Sequence, residues 1–249
     1  LALQLRVLQD KLPPFPKGEA KREIERELEV PVDQVFANFS EPVAAASIAQ
    51  VHKATLIETG EDVAIKVLRP GIERAFRKDI DAFYLAATMV EMLSPSSRRL
   101  KPMDVITHFE GVVMGELDLR LESSAAAEYA ANTGKDDGFQ LPVVQWDLSA
   151  KRVMTLGWAE GIPAGDVVAI DAAGHDRRIL GERILQLFLS HALRDGYFHG
   201  DMHQGNLKIA ANGDIIAYDF GIMGRIDEYT RRVYAEILFG FIRKDYKRV

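Results

Sequence analysis

Two acidic side chains and one asparagine have the residue types and the spacing that phosphoryl transfer requires. The run HGDMHQGN contains Asp201 and Asn206, five positions apart, and the later run AYDFG contains Asp219. Phosphoryl transfer needs a carboxylate near the attacking hydroxyl or water, and oxygen ligands that hold magnesium against the nucleotide phosphates. A hairpin predicted between Asn206 and Asp219 would bring its two ends together. We therefore predict Asp201 as a catalytic carboxylate and Asn206 and Asp219 as magnesium ligands.

A lysine earlier in the chain fits the same chemistry. Lys66 ends the run VAIK, which has the alternating pattern of a β-strand. In protein kinases such a lysine contacts the α- and β-phosphates and is held by a glutamate from a helix. The three residues named above likewise match the kinase patterns H-R-D-x-x-x-x-N and D-F-G. We predict Lys66 as a second catalytic residue that binds the phosphates.

An alanine-rich run lies shortly before the lysine strand. Set against the kinase loop G-x-G-x-x-G-x-V, its three glycine positions are all alanine. The Cβ of alanine restricts positive φ, so we expect a stiffer nucleotide cover than a glycine loop would form. The candidate nucleotide-binding positions of this loop are Ala44, Ala45, Ala46, Ser47, Ala49 and Val51.

Three acidic residues, Glu116, Asp118 and Glu122, fall in a stretch predicted to be one amphipathic helix. At about 100° per residue, Asp118 and Glu122 share a face and Glu116 points about 200° away from Asp118. A glutamate on this helix could reach Lys66, and the sequence leaves open whether Glu116 or Glu122 does so. We include all three as candidates for the nucleotide site.

These motifs together resemble the UbiB/AarF/ADCK group of atypical protein-kinase-like proteins over nearly the whole chain. The resemblance rests on the alanine-rich loop at 44–49, VAIKVLRPG at 63–71, E-x-D at 116–118 and DGYFHGDMHQGN at 195–206. The usual catalytic loop of the family reads H-A-D-P-H-P-G-N, and this chain departs from it at Gly200, Met202 and Gln204. The family also has a K-x-G-Q motif, which we expect upstream of Leu1 in a longer protein.

The resemblance implies an α+β fold of the two-lobed protein-kinase type, with extra helices in the N-terminal lobe and a truncated C-terminal lobe. It implies binding of ATP or ADP with Mg²⁺, and ATPase or unorthodox phosphotransferase activity. It also implies a link to ubiquinone or other isoprenoid-lipid metabolism. A quinone or isoprenoid lipid, or a membrane surface, would then be contacted through parts outside this segment, in a cytoplasmic protein peripheral to the membrane.

Two other functions stay open. The His-Gly-Asp of the catalytic loop also resembles small-molecule phosphotransferases of the aminoglycoside and choline kinase type, although the alanine loop and E-x-D argue against them. A pseudokinase or lipid-binding scaffold would bind nucleotide without turning it over.

Composition narrows the range of functions without choosing one. The 249 residues include 31 Lys and Arg, 37 Asp and Glu and no Cys, which gives a formal net charge of −6. Cysteine chemistry and disulfides are therefore excluded. The acidic balance gives no reason to expect a nucleic-acid partner, and the sequence has no apolar run of the length, about 18 residues, that spans a membrane.

The elements that must position these residues can be predicted from periodicity and turn signals. The predicted elements are a helix at 17–30, a β-hairpin within 35–68, helices at 72–92 and 103–131, two strands within 141–156, a helix at 177–194, a polar loop at 195–206, a hairpin turning at 212–213 and a helix at 228–241. Residues 1–10 fit either a helix or a strand. We predict an N-terminal lobe over 1–158 and a partial C-terminal lobe over 159–249.

Overall fold

The computed structural model describes residues 13–245, and within them the chain divides into two compact units. The first unit contains the residues up to Ser123 together with Val144–Trp158, and the second contains Ser124–Val143 and the residues from Ala159 onward. The lobe boundary after residue 158 stays a prediction. The first unit ends at the same position, but residues 124–143 belong to the second unit. The pattern at 1–10 lies outside the described residues.

The helices and strands are numbered along the chain. The helices are α1 (Lys17–Leu28), α2 (Val32–Val35), α3 (Ile72–Leu93), α4 (Pro102–Glu116), α5 (Leu119–Thr133), α6 (Val167–Ala172), α7 (Arg177–Ser190) and α8 (Glu228–Arg243). The strands are β1 (Phe36–Ala37), β2 (Pro42–Ala45), β3 (Ala49–Leu56), β4 (Asp62–Leu68), β5 (Phe139–Gln140), β6 (Val153–Gly157), β7 (Ile162–Pro163), β8 (Tyr197–His199), β9 (Leu207–Ile209), β10 (Ile215–Ala217) and β11 (Met223–Arg225).

An antiparallel sheet of order β1-β3-β4-β6, with β2 paired to β3, organises the first unit. Successive side chains of a strand point to opposite faces. On β4 the alternate residues Val63, Ile65 and Val67 are therefore fully buried in the core that includes Ile24 of α1. Lys66 lies between them in sequence and so projects from the other face. The predicted hairpin is confirmed by the pairing of β3 with β4.

The helical stretch after the hairpin is interrupted where we predicted continuity. The helix predicted at 72–92 is confirmed as α3, but 103–131 forms two helices, α4 and α5, rather than one. Leu117 leaves helical geometry at φ −91° and ψ 13°, and its side chain is buried. The backbone N–H of Leu119 donates to the Lys151 carbonyl oxygen at 2.8 Å, and the Asp118 carboxylate accepts from the Arg120 N–H at 3.2 Å. Asp118 thereby caps the start of α5.

The prediction of two strands within 141–156 is half wrong. Only β6 forms there, and Val144 makes an isolated bridge to Leu156. The Gln145 N–H donates to the Thr155 carbonyl oxygen at 2.8 Å, and the Ser149 hydroxyl donates to the Gln145 carbonyl oxygen and accepts from the Thr155 N–H. Ser149 and its neighbours thus close a tight turn that ends the extended chain.

The second unit contains a sheet of order β5-β10-β9-β7 and a two-stranded ribbon of β8 and β11. The predicted hairpin turning at 212–213 is confirmed by the antiparallel pairing of β9 with β10. The helix predicted at 177–194 corresponds to α7 and a π-helical turn at His191–Asp195, and the helix predicted at 228–241 to α8. The predicted loop at 195–206 is wrong at its start, where β8 pairs with β11.

Gly196 makes the turn between the π-helical segment and β8 possible. Its φ is +68°, and a Cβ at this position would lie 2.6 Å from the Ile226 carbonyl oxygen. Any other residue would combine an unfavourable φ with a clash against backbone. The direction in which the chain enters β8 and the loop at 200–206 therefore depends on this glycine.

A polar network in the second unit runs from the buried side chains of Tyr129 and His191 to the surface. The Tyr129 hydroxyl lies 2.6 Å from His191 Nδ1, and His191 Nε2 lies 3.0 Å from Asp136 Oδ2. Arg194 donates to both oxygens of Asp136 at 2.7 and 2.8 Å. Burial lowers the pKa of His191 and raises that of Tyr129, while the Arg194 guanidinium lowers the pKa of Asp136. Each of these four side chains is thus hydrogen-bonded to another member of the network.

No helix within 13–245 combines the length and the apolar content needed to cross a bilayer.

Candidate active site

Lys66 is held by an ion pair inside the first unit. Its Nζ atom donates to Glu122 Oε1 at 2.7 Å and to Oε2 at 2.8 Å. The two side chains are only 23% and 10% exposed, so water screens the pair weakly. Of the two glutamates that the sequence left open, Glu122, in the first turn of α5, is a partner of Lys66.

Strand register brings the alanine-rich loop beside this pair. Ala44 on β2 pairs with Val51 on β3, and Val51 pairs with Lys66 on β4. Residues directly opposite one another on adjacent strands have neighbouring side chains. Ala44, Val51 and Lys66 therefore form one row across the sheet.

The other loop candidates lie at the tip of the β2–β3 hairpin. Ala45 ends β2, Ala46 and Ser47 are exposed in the turn, and Ala49 begins β3 with its side chain buried. The non-glycine residues with positive φ in the described chain do not include any of the alanines at the glycine positions. Alanine is therefore accommodated here without backbone strain.

The geometry predicted for the E-x-D motif is wrong. Asp118 and Glu122 do not share the face of one helix, since Glu116 ends α4, Asp118 lies in the break and Glu122 belongs to α5. The Asp118 carboxylate accepts bonds from Arg120 Nε at 2.8 Å and Nη2 at 2.6 Å, and this guanidinium lowers the pKa of Asp118. The structure thus gives Asp118 a capping role and an arginine partner that sequence reasoning missed.

In the second unit, the loop at 200–206 is closed by bonds around Asp201. The Asn206 amide Nδ2 donates to the Asp201 carbonyl oxygen at 3.0 Å and lies 3.4 Å from Asp201 Oδ2. The Asp201 carboxylate remains 44% exposed, and His203 Nε2 lies 3.5 Å from its Oδ2 atom. His203 Nδ1 accepts from the Gly205 N–H at 2.9 Å. The loop therefore fixes Asp201 while leaving its carboxylate accessible to solvent.

The β9–β10 hairpin carries Asn206 and Asp219 at its open end. Leu207 pairs with Ala217, and the Tyr218 N–H donates to the Asn206 carbonyl oxygen at 3.3 Å. Asp219 is the next residue, and its Oδ1 atom accepts from the Gly221 N–H at 3.2 Å. The observed register thus places these two candidates at the same end of the second unit's sheet.

His199 links the loop at 200–206 to the Asp219 segment. Its Nδ1 atom accepts from the Asp201 N–H at 3.1 Å, which leaves the proton of the neutral ring on Nε2. Nε2 is buried and has no hydrogen-bond partner within the described residues. Burial lowers the pKa of His199, and the main chain of Asp219 opposes part of that effect. The ring of the buried Phe220 lies 6.2 Å from the His199 ring.

The donor set of Asn206 and Asp219 suits a hard cation. Because Asn206 Nδ2 is directed to Asp201, its Oδ1 atom points away from that residue. Mg²⁺ prefers oxygen ligands and usually combines one or two protein carboxylates with waters and substrate phosphates. Among the described residues, no group of three or more His, Asp or Glu side chains is arranged to hold a metal by itself. The residues present therefore fit magnesium bound together with a nucleotide.

Fold and site motifs together define a protein of the protein-kinase-like class, so the predicted α+β kinase-like fold is confirmed. A solved structure of the Mycobacterium tuberculosis protein Rv3197 with erythromycin is similar to this chain, with a TM-score of 0.69 and 29% identity over 86% of this chain and 53% of that one. The chain belongs to the ABC1 atypical kinase-like domain family, whose model matches residues 7–249.

The names of curated relatives bear out the resemblance found in the motifs. The chain is 39% identical over 254 residues to the probable protein kinase UbiB of Marinobacter nauticus. It is 38% identical over 253 residues to the protein of the same name in Shewanella baltica. Both alignments cover 100% of this chain and 46% of the relative. The chain thus spans about half the length of the curated relatives it matches.

Proposed function

We propose that this chain is the nucleotide-binding part of an atypical kinase-like protein that hydrolyses ATP or transfers its terminal phosphoryl group in the presence of Mg²⁺. The observation that carries this proposal is the partly buried ion pair between Lys66 and Glu122. An isolated lysine on a strand would be solvated. A lysine fixed by a helix glutamate has a defined position, as phosphate binding requires.

The proposal assigns a role to the candidate residues that would contact the phosphates, the metal and the attacking group. Lys66 neutralises the α- and β-phosphates, and the main chain around Ala46 covers the nucleotide. Asn206 and Asp219 hold magnesium, which would supply charge neutralisation at the phosphates when bound. Asp201 accepts the proton of the attacking water or hydroxyl, or orients that group. Most of the rate enhancement then comes from positioning and electrostatic stabilisation.

The acceptor and the biological setting rest on the relatives. Their name, UbiB, supports a link to ubiquinone or related isoprenoid-lipid metabolism. We include in the proposal a quinone or isoprenoid lipid, or a membrane surface, contacted through parts outside this segment. The mildly acidic composition supports the absence of a nucleic-acid partner.

Thermal shift and phosphate release together test the proposal. A ligand at about 100 times its dissociation constant adds about 2.7 kcal/mol to the free energy of unfolding. We expect ATP and ADP with Mg²⁺ to raise the unfolding temperature, and ATP to release phosphate only with the metal. A rise in the unfolding temperature without phosphate release, and without label transfer from ATP to any acceptor, would support the pseudokinase scaffold instead. No shift with any nucleotide would contradict the proposal.

A small-molecule phosphotransferase is the second candidate, and a specific observation favours it. The similar Mycobacterium tuberculosis structure contains erythromycin. The His-Gly-Asp run of the catalytic loop also resembles this group. Incorporation of labelled phosphate from ATP into erythromycin, an aminoglycoside or choline would support the second candidate, whereas incorporation only into polyprenyl head-group precursors or water would support the first.

A further inference from the structure

The side chain of Arg69 contacts the turn of the alanine-rich loop between β2 and β3. It follows β4 directly, and its Nε and Nη2 atoms donate to the Ala46 carbonyl oxygen at 3.1 and 3.0 Å. Its backbone N–H donates to the Ile48 carbonyl oxygen at 2.8 Å. One residue thus holds the carbonyls on both sides of Ser47, which is itself exposed.

The same guanidinium also holds the segment before α1. Arg69 Nη1 and Nη2 each donate to the Pro13 carbonyl oxygen at 3.1 Å, and the guanidinium carbon lies 5.7 Å from the centre of the Phe15 ring. Phe15 is in turn bonded through its N–H and carbonyl oxygen to the side chain of Gln50, which is 1% exposed, at 3.0 and 3.2 Å. Arg69 therefore bridges the loop and the segment 13–15, both of which rest on β3.

The main chain of Arg69 is anchored independently of its side chain. Its carbonyl oxygen accepts from Arg152 Nη2 at 2.9 Å, and Arg152 pairs with Glu23 at 3.1 Å and with Glu73. A change confined to the Arg69 side chain removes the bonds to Ala46 and Pro13 and leaves this anchor in place. The contribution of the side chain can thus be measured apart from the packing of the unit.

We propose that Arg69 is a positioning residue for nucleotide binding, which acts by fixing the carbonyls of the alanine-rich loop and joining them to the segment 13–15. The planar fork of arginine presents N–H groups in two directions, and this is what lets one side chain reach both Ala46 and Pro13. Lysine has the same charge but concentrates its donors on one atom, so it cannot make both sets of bonds. The proposal rests on the function proposed above, in which this loop covers the nucleotide.

Amide hydrogen exchange of the nucleotide-free protein tests the first half of the proposal. We expect Arg69→Lys and Arg69→Met to increase exchange at 46–49, with exchange in β4 and α1 unchanged. The matched controls are Arg77→Lys and Arg77→Met, which alter an exposed arginine of α3. Exchange at 46–49 that stays at the wild-type level in both Arg69 variants would overturn the proposal.

Steady-state kinetics test the second half. Both Arg69 variants should raise the KM for ATP with Mg²⁺ about tenfold, the equivalent of one charge-assisted hydrogen bond, with kcat within about twofold of the wild type. A wild-type KM in Arg69→Lys would mean that charge alone suffices, and would overturn the role of the fork. If the wild-type protein binds no nucleotide, the proposed function fails, while the exchange experiment still decides whether Arg69 fixes the loop.

Discussion

The Nζ atom of Lys66 lies 2.7 and 2.8 Å from the two carboxylate oxygens of Glu122, joining the middle of β4 to the first turn of α5. The Glu122 side chain is 10% exposed and that of Lys66 is 23% exposed. Removing one partner of such a pair leaves the other charge poorly solvated. The pair therefore links the stability of the first unit to the position of the lysine that we assign to the phosphates.

Glu122→Gln should lower both activity and stability. We expect kcat/KM for ATP to fall at least about tenfold, and the free energy of unfolding to fall by about 1–3 kcal/mol. The control is Glu128→Gln, because Glu128 lies on the same helix and pairs with Arg225 at 2.7 Å, but its side chain is 43% exposed. That variant should change stability by less than about 1 kcal/mol. Equal turnover in Glu122→Gln and wild type would show that Glu122 is not part of the functional site.

Tyr129→Phe should destabilise the second unit. Its hydroxyl lies 2.6 Å from His191 Nδ1 in a fully buried environment, so its loss leaves a ring nitrogen without its partner. We expect the free energy of unfolding to fall by about 1–3 kcal/mol in urea denaturation. Tyr229→Phe, at a residue that is 77% exposed, should stay within about 0.5 kcal/mol of wild type. Similar values for the two variants would argue against the network.

Stability should fall between pH 7 and pH 5. Burial lowers the pKa of His52, His191 and His199 in the folded protein, so the unfolded chain takes up protons first as the pH drops through about 6.5. Each histidine lowers the free energy of unfolding by at most about 1.4 kcal/mol for each pH unit of acidification. The pKa values of Asp118 and Asp136 are lowered by arginine partners, and their stabilisation is lost only below the ordinary aspartate pKa of about 4.

Urea titrations at several pH values check this expectation. His52→Gln should flatten the decline below pH 7, whereas His108→Gln, at an exposed position of α4, should leave the slope unchanged. A free energy of unfolding that rises as the pH falls from about 7 to 5 would show that the buried histidines are not neutral in the folded state.

Arg152→Met should be among the most destabilising single changes in the first unit. The arginine is 12% exposed and pairs with Glu23, whose side chain is 6% exposed, so the variant leaves a buried carboxylate without this partner. We expect a loss of about 3–5 kcal/mol. Arg26→Met removes a bond to the same Glu23, but Arg26 is 66% exposed and its loss should cost less than about 1 kcal/mol. Partial recovery in the pair Arg152→Met with Glu23→Gln would identify the uncompensated charge as the cause.

The parts of the fold that could be predicted are those governed by local periodicity and turn chemistry. The alternation around Lys66 predicts the strand and the face on which the lysine lies. The Asn-Gly dipeptide at 212–213 predicts the β9–β10 hairpin, and with it the proximity of Asn206 to the residue before Asp219. The motifs also carried the resemblance to the family that the family model confirms.

The parts that could not be predicted depend on contacts between distant segments. The break before α5 arises because the Leu119 N–H bonds to Lys151, which lies in another part of the first unit. An aspartate before an apolar helix is a capping signal, so Asp118 could have been read as the start of a second helix. The bonds of Arg69 to Ala46 and Pro13 join residues far apart in sequence, and periodicity contains no information about them.

Magnesium-dependent phosphate release from ATP by the Asp219→Ala variant tests the central claim most directly. The control is Asp137→Ala, an exposed aspartate of the second unit, and unfolding curves show whether each variant is folded. We expect wild type and Asp137→Ala to release phosphate with the same dependence on magnesium, and folded Asp219→Ala to release none above background. Undiminished, magnesium-dependent release by Asp219→Ala would contradict the proposed site.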